Sequence, residues 1–252
     1  MKPKLVLLLL LMVVVVWGGW RGEAAAKRTM AVQVDKGEAV ATYLEGRAQV
    51  LSQGKQTWRE VRVNSRFQAG DEIAVGTKSR LEITLPDSSR LRFAEDTRFK
   101  IVQTGPKTAP DVKVHLAIGR TWANVSKAAG LKRKFEIACD NAVTGVRGTV
   151  YRMNVNEDAS ALVRVYDGEI AVTGATKAME TPKTFGPPTK IAGPKKIAGP
   201  RKVTMEEWTV IIRSMQQINI RKDGSADQPR EFTEQEDRDA WVDWNKARDG
   251  AL

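Results

Sequence analysis

The chain contains very little cysteine and histidine. Cys139 is the only cysteine among 252 residues and His115 is the only histidine. A single cysteine excludes an internal disulfide. We interpret Cys139, in the alternating segment KFEIACD, as a small buried apolar residue rather than a reactive thiol. His115 alternates with Val114 and Leu116, which favours a solvated strand histidine over a metal ligand because no cysteine cluster or second histidine accompanies it.

Sequence motifs of catalysis are also missing. The chain has no Gly-x-Ser-x-Gly elbow, no P-loop and no Gly-x-Gly-x-x-Gly before a helix. Its 30 acidic residues make some neighbouring carboxylates expected by chance, and no pair stands out. The oxygen-rich stretch at Asn154, Asn156, Glu157 and Asp158 departs from a calcium-loop pattern and is typical of a hairpin loop. We therefore predict a non-enzymatic protein with no catalytic residues, no cofactor and no metal site.

The N-terminal segment has the order of an export signal. Two lysines precede an apolar run over residues 5–17, and small residues follow, ending in an A-x-A site at residues 24–26. We predict a signal peptide over residues 1–26, cleavage after Ala26, a flexible stretch over residues 27–36, and a periplasmic or secreted protein. The competing interpretation is an uncleaved inner-membrane anchor, in which Trp20 and Arg21 lie at an interface and extend the apolar run to about sixteen residues; this is still shorter than the roughly 17 to 25 needed to span a bilayer.

The charge balance is strongly basic, with a net charge of +11 that falls to +9 without Lys2, Lys4, Arg21 and Glu23. An exported cationic protein meets acidic proteins, lipid headgroups or anionic glycans rather than a genome. Basic residues alternate with apolar ones on neighbouring predicted strands, which predicts a basic stripe on an outer face: Arg80, Arg90, Arg92, Arg98 and Lys100. Acidic residues interrupt the stripe and exposed stacking aromatics are missing, so we expect no nucleic-acid partner. A solvated face and an anionic lipid or glycan site remain the alternatives.

Residues 36–176 follow an almost unbroken period of two with frequent turn residues, which predicts about twelve strands in a mainly β domain. The clearest hairpin is RLEITLPDSSRLRFAE, turned by Pro86 and Asp87. Gly46, Gly119 and Gly168 each precede a short strand, a pattern compatible with a sandwich, a jelly roll or a short β-coil. We place this β domain at residues 37–176.

The stretch NAVTGVRGTVYRMNV contains two glycines three residues apart within a run of strand formers. Glycine inside a strand marks a bulge, a bend or a close backbone approach. We interpret Val146, Arg147, Gly148 and Thr149 as a structural hinge between two strands rather than a ligand loop. Arg147 is expected to donate hydrogen bonds to backbone carbonyls at this bend.

The composition changes after residue 176. Residues 177–203 hold five prolines and the repeated sequence Ile-Ala-Gly-Pro, which predicts an extended basic linker. Two short helices are predicted in a tryptophan-rich tail over residues 204–252, one opened by a Thr204–Glu207 capping box and carrying Trp208, and one opened by Thr233–Glu236. The tail either packs on its own β domain or presents Trp241 and Trp244 to a partner.

Taken in order, several of these segments resemble the FecR domain, from about Gly37 to Thr173. The matching pieces are Gly46 with Val50, Trp58, AGDEIAVGTKSRLEITLPDSSRLRFAEDT, LAIGRTWANV, FEIACDNAVTGVRGTVYRMNV and VRVYDGEIAV. The resemblance implies an exported β domain of a bacterial regulator that spans the inner membrane, contacts a sigma factor through a cytoplasmic segment and receives a signal from a TonB-dependent receptor. Only Met1–Lys4 precede the apolar run, so no direct sigma-factor contact is expected here.

The sequence thus favours a non-enzymatic recognition or scaffolding module of the bacterial envelope, with an envelope protein as partner. The residues expected to contact it are Trp241, Trp244, Arg90 and Arg92. Two alternatives stay open: a cationic binder of anionic lipid or polysaccharide surfaces, and the periplasmic part of a split signal-transduction regulator.

Overall fold

Alternating apolar residues produce a mainly β fold, as the sequence predicts. The computed structural model describes residues 37–105, 111–127, 134–174 and 208–250, and all of them lie within the compact unit Val32–Leu252. These residues form seventeen strands and one α-helix. The predicted signal peptide, the stretch over residues 27–36 and the basic linker lie outside the described residues.

Among the described residues, all strands precede the single helix along the chain. In chain order they are β1 (Ala39–Glu45), β2 (Ala48–Leu51), β3 (Arg59–Glu60), β4 (Arg66–Phe67), β5 (Glu72–Val75), β6 (Arg80–Thr84), β7 (Arg90–Phe93), β8 (Arg98–Thr104), β9 (Val112–Asn124), β10 (Phe135–Ala138), β11 (Ala142–Val146), β12 (Val150–Val155), β13 (Ala161–Asp167), β14 (Glu169–Gly174), β15 (Thr209–Arg213), β16 (Gln216–Ile220), β17 (Arg230–Glu231) and α1 (Ala240–Gly250).

The strands form two sheets that share one long strand. Sheet A has the order β4-β1-β6-β7-β9-β12-β13-β16-β17, and sheet B has the order β3-β2-β5-β8-β9-β10-β11-β14-β15. All pairs are antiparallel except the parallel pair β9–β10. The first part of β9 pairs in sheet B and the part after Gly119 pairs in sheet A. Of the architectures left open by the sequence, this is a sandwich.

One hydrophobic core fills the space between the sheets. Inward-facing side chains from both sheets belong to the same buried cluster, including Phe93 and Phe99, whose rings stack with centroids 3.6 Å apart. Tyr151 of sheet A is fully buried, and its hydroxyl lies 3.0 Å from Oγ1 of Thr144 in sheet B. Burial raises the pKa of Tyr151 well above its ordinary value. The inner faces are therefore committed to packing, and function must use the outer faces or the edges.

Nine connections between described strands carry the chain from one sheet to the other, and each has one residue with a positive φ. They include the turn within β9 and the turns on both sides of β4; the residues are Gly46, Asn64, Gly70, Lys78, Asp96, Gly119, Gly148, Gly168 and Met215. The three glycines singled out by the sequence pattern are thus bends. At Gly119, with φ of +105°, an added Cβ would lie only 2.6 Å from Cα of Thr97.

The two glycines of the VTGVRGT segment have different roles. Gly145 lies inside β11 without a positive φ, and an added Cβ there would meet nothing within 4 Å. Gly148 forms the bend to β12 with φ of +63°. Thr149 donates a hydrogen bond to the carbonyl of Glu169, 3.0 Å away, which joins this bend to the next one. Arg147 is exposed and its guanidinium bonds to no carbonyl among the described residues, so the expected donation at the bend is wrong.

The first predicted helix of the tail is also wrong, because the residues after Trp208 form the β15–β16 hairpin. Apolar residues at helical spacing also suit two short strands when β-branched residues dominate and a neighbouring strand is available for pairing. The second helix is confirmed as α1. The Thr233–Glu236 box forms, with reciprocal bonds of 2.7 and 3.2 Å, but it closes a turn before the helix. Among the residues with described positions, no helix is long and apolar enough to cross a bilayer.

The bend at Gly148 generates a stability prediction. Gly148→Val should destabilise the fold by about 2 kcal/mol, because a β-branched residue is strained at a positive φ. Gly145→Val, the same change three residues earlier, should leave stability unchanged, and Arg147→Ala should shift it by less than about 0.5 kcal/mol. Urea unfolding of the three variants measures these differences. Equal losses at both glycines would contradict the assignment of the bend to Gly148.

Candidate functional site

The outer face of sheet A is covered by the chain's own C-terminal residues 232–250. Trp241 is only 5% exposed and joins Ala94, Trp122 and Val242 in a second hydrophobic cluster. Tyr166 stacks on Trp122 with ring centroids 4.4 Å apart. Of the two alternatives for the tail, the structure therefore has the one in which it packs on its own β domain.

A charged cluster under α1 centres on Arg92, which is 0% exposed. Its Nε donates to Glu82 at 2.7 Å, and one terminal nitrogen lies 2.8 Å from the Asp249 carboxylate. Arg248 donates to both oxygens of Glu82 at 3.2 Å. Burial raises the pKa of Glu82, but hydrogen bonds from Arg248, Arg92 and Thr42 outweigh burial and hold that pKa below its ordinary value. The cluster joins strands β6 and β7 to the last turn of the helix.

A second buried cluster centres on Asp237, whose side chain is 2% exposed. Arg152 and Arg164 both donate to Oδ1 of Asp237, and the Tyr166 hydroxyl donates to Oδ2. The two arginines lie directly opposite each other on β12 and β13. Burial and the nearby Arg164 lower the pKa of Arg152, against the opposing influence of Tyr166 and Asp237. One carboxylate therefore separates two neighbouring guanidinium groups that would otherwise repel each other.

Further polar contacts complete the cover. Trp122 donates from Nε1 to Asp249 at 2.8 Å, and Arg120 donates to Asp239 at 2.6 Å. Asp239 also caps α1, since its Oδ1 accepts from the backbone N–H of Val242 at 2.8 Å. Three aspartates of this segment, Asp237, Asp239 and Asp249, thus meet basic or donor groups projecting from sheet A.

The residues predicted to contact a partner are therefore mostly engaged within the chain. Trp241 and Arg92 are buried, and Trp244 is half-buried, with its ring 5.3 Å from that of Trp241 and with the Arg80 guanidinium 5.1 Å from its centroid. Arg90 is half-buried at the start of β7. The exposure of Arg90 and Arg92 was predicted from strand alternation alone. A tail packed on the β domain was one of the two alternatives, but its position over these arginines was not predicted. Of these four residues, only Trp244 and Arg90 are therefore partly accessible to a partner.

The predicted basic stripe is divided between the two sheets. Arg80, Arg90 and Arg92 belong to sheet A, whereas Arg98 and Lys100 are exposed on β8 in sheet B. Arg98 lies 3.7 Å from Glu72 and has its guanidinium 5.9 Å from the Trp58 ring. The prediction of one continuous cationic surface formed by all five residues is therefore wrong.

The outer face of sheet B has no covering element among the described residues. Val102, 39% exposed, follows Lys100 on β8, and both line a shallow depression of about 310 Å³ shared with Lys113 and His115. His115 contacts Asp140 at 3.0 Å, and Lys113 lies 3.3 Å from Glu136. This face combines apolar and cationic side chains without a buried polar group aimed at a ligand. It suits contact with a macromolecular surface rather than enclosure of a small molecule.

The chemistry of the remaining candidates is limited. Cys139 is buried, and burial raises the pKa of its thiol, which disfavours the reactive thiolate. In the described part of the chain, no three His, Cys, Asp or Glu side chains are grouped to hold a metal ion. In the oxygen-rich stretch, Oδ1 of Asp158 accepts hydrogen bonds from the backbone N–H and the hydroxyl of Ser160, as expected of a hairpin loop.

Comparison with known proteins confirms the FecR resemblance over part of the chain. The family model described as FecR protein matches residues 71–171, from the start of β5 into β14. Two solved structures of a candidate anti-sigma factor from Parabacteroides distasonis are 17% and 18% identical, with TM-scores of 0.44 and 0.45; each covers 65% of this chain. The chain covers 61% of each of those chains, less than two thirds of their length. No curated protein matches.

The Asp237 cluster generates a second prediction. Asp237→Asn should destabilise the fold by about 3 kcal/mol or more, because it leaves two buried guanidinium groups facing each other without their carboxylate. Asp243→Asn is the matched control on the same segment, since its ion pair with Arg238 is exposed and should contribute little. Thermal or urea unfolding measures both variants. Similar stabilities for the two would show that the cluster does not hold the segment.

The lowered pKa of Glu82 generates a prediction of pH dependence. Its folded pKa lies below its unfolded value, so the carboxylate contributes its full stability above the unfolded pKa of about 4.3 and loses it as the pH falls through the folded pKa. Glu82→Gln should therefore lose less stability than the wild type between about pH 5 and about pH 3. Glu234→Gln, which removes an exposed carboxylate, is the control and should follow the wild-type curve. Identical slopes for all three proteins would contradict the assignment.

Proposed function

We propose that this protein is a non-enzymatic recognition module of bacterial envelope signal transduction, exported by residues 1–26, that binds an envelope protein through the outer face of sheet B. The FecR match over residues 71–171 supports a regulatory rather than a catalytic role. No direct sigma-factor contact is part of the proposal. In the alternative of a split regulator, the envelope protein bound by this face would be the separate chain that supplies the cytoplasmic part.

The observation that carries this proposal is the contrast between the two outer faces. Sheet A is covered by residues 232–250 through buried ion pairs and through contacts between aromatic rings. Sheet B presents Val102 together with Arg98 and Lys100, and no described helix or strand covers them. Exposed apolar side chains rimmed by polar ones mark protein contact surfaces. The contact surface therefore moves from the tryptophans to strand β8 and its neighbours.

The cations of this face favour one alternative function. Arg98, Lys100 and Lys113 lie on the same outer face, and a cationic module could dock on phospholipid or polysaccharide phosphates by charge alone. Such docking should collapse between low and moderate ionic strength, since the Debye length falls to about 8 Å at 0.15 M salt. A complex that buries Val102 should largely survive that change.

The test is in-cell photocrosslinking of the full chain from position 102. We expect one dominant envelope protein, identified by mass spectrometry and retained at moderate salt. Position 243, exposed on the far side of α1, is the control and should not capture that protein. Val102→Asp should weaken the purified complex at least about tenfold, which corresponds to about 1.4 kcal/mol. Equal capture from both positions, or binding that salt abolishes, would contradict a protein contact on this face.

A further inference from the structure

The edges of the two sheets are not alike. Three of the four are closed by two-residue strands that each contain a charged residue: β3 (Arg59–Glu60), β4 (Arg66–Phe67) and β17 (Arg230–Glu231). The fourth edge is β15, five residues long with the sequence TVIIR, and no described strand pairs with its outer side. Proteins usually shorten or charge their edge strands because an open edge recruits other strands. A long apolar edge beside three blunted ones indicates a pairing site.

The hydrogen-bond alternation of β15 leaves its open edge ready to pair. Gly174 donates to the carbonyl of Trp208 at 3.0 Å, which makes this pair hydrogen-bonded in the antiparallel ladder. Since such pairs alternate, Val210 and Ile212 bond to β14, whereas the backbone groups of Thr209 and Ile211 point to the open edge. The N–H of Arg213 is taken by the side chain of Gln216 at 3.1 Å. The free donors and acceptors are thus centred on Ile211.

The side chains of β15 are self-complementary about the same residue. Ile211 is 45% exposed, one of three large hydrophobic residues with high exposure among the described residues. Antiparallel pairing centred on Ile211 places two isoleucines opposite each other on the outer face and sets Thr209 opposite Arg213. The single charge of the strand then never faces its own copy, whereas parallel pairing in register would oppose the two arginines.

We propose that β15 pairs with β15 of a second copy of this chain, antiparallel and centred on Ile211. The interface is isologous, with a two-fold axis between the two isoleucines. The Ile211 N–H of each copy donates to the Ile211 carbonyl of the other, and sheet B continues across the axis. Since only five residues pair from each chain, the dimer is small in area and dissociates on dilution.

Cysteine crosslinking tests the register directly in the full chain. Facing residues of a hydrogen-bonded antiparallel pair have Cα atoms about 5.5 Å apart, within the range of a disulfide. Ile211→Cys should therefore form a disulfide dimer under mild oxidation, while buried Cys139 stays reduced. Val63→Cys, at a similarly exposed loop position, is the control and should remain monomeric.

The same experiment distinguishes antiparallel from parallel pairing. Two Thr209 residues lie roughly 14 Å apart in the proposed register, too far for a disulfide. Thr209→Cys alone should stay monomeric, and its mixture with Arg213→Cys should give a heterodimer. Disulfide dimers of Thr209→Cys alone would overturn the proposal. So would an Ile211→Cys protein that forms dimers no faster than Val63→Cys, which is the result expected if residues 175–207 or another protein occupied the edge.

Sedimentation of the unmodified protein gives an independent readout. The wild type should show a concentration-dependent monomer–dimer equilibrium, and Ile211→Lys should lose the dimer because it places like charges directly opposite. Val63→Lys should keep the dimer. A wild type that is monomeric at all concentrations, or an Ile211→Lys protein that still dimerises, would overturn the proposal. Because the outcome is measured without any partner, it stays separate from crosslinking at position 102.

Discussion

Single residues with a positive φ determine the architecture of this protein. Each of the nine bends turns the chain through one such residue, so the chain passes repeatedly between sheets A and B instead of staying in one sheet. The long strand β9 shows the constraint most clearly, because the chain at Gly119 approaches Thr97 so closely that a side chain would not fit. Repeating this bend stacks the strand pairs in register and closes a single core between the sheets. Both outer faces are therefore available for other uses.

The two outer faces differ because sheet A carries a row of arginines that form ion pairs with the covering segment. Arg92, Arg152 and Arg164 lie on β7, β12 and β13, and each meets a carboxylate from residues 232–250. Burying such ions costs much of the Coulomb energy that their pairing returns, so the apolar cluster around Trp122 and Trp241 must supply much of the stability. The ion pairs instead specify where the segment lies, since displacing Asp237 would leave two buried cations without a counter-charge. The ion pairs thus determine where the segment lies, and the apolar side chains supply much of the free energy that holds it there.

Local patterns in the sequence predicted local structure, and they failed where contacts are distant. Period-two alternation predicted the β domain, and the glycine pattern pointed to Gly46, Gly119, Gly148 and Gly168, because both depend on neighbouring residues. Bends at Lys78 and Met215 were not predicted, since those residue types rarely adopt a positive φ; the bend at Asp96 was also missed, although aspartate adopts a positive φ more often than most residues. Arg92 looked solvent-facing because alternation identifies the face of a strand but not what covers it; its partner Asp249 lies more than 150 residues later in the chain. A signal for a buried carboxylate was available in the predicted hairpin of β12 and β13, because Arg152 and Arg164 lie opposite each other there and need a counter-charge.

The proposed dimer and the proposed contact face reinforce each other through symmetry. The two-fold axis of an antiparallel strand pair runs perpendicular to the sheet, so pairing at β15 turns both outer faces of sheet B to the same side. Two copies of Val102 and Lys100 would then face one surface at a fixed spacing, while the covered faces of sheet A stay on the opposite side. A partner that is itself paired, or held in a membrane, would engage both copies at an effective concentration set by that geometry. A weak edge contact between copies can therefore raise the affinity of recognition without adding a single contact to the partner.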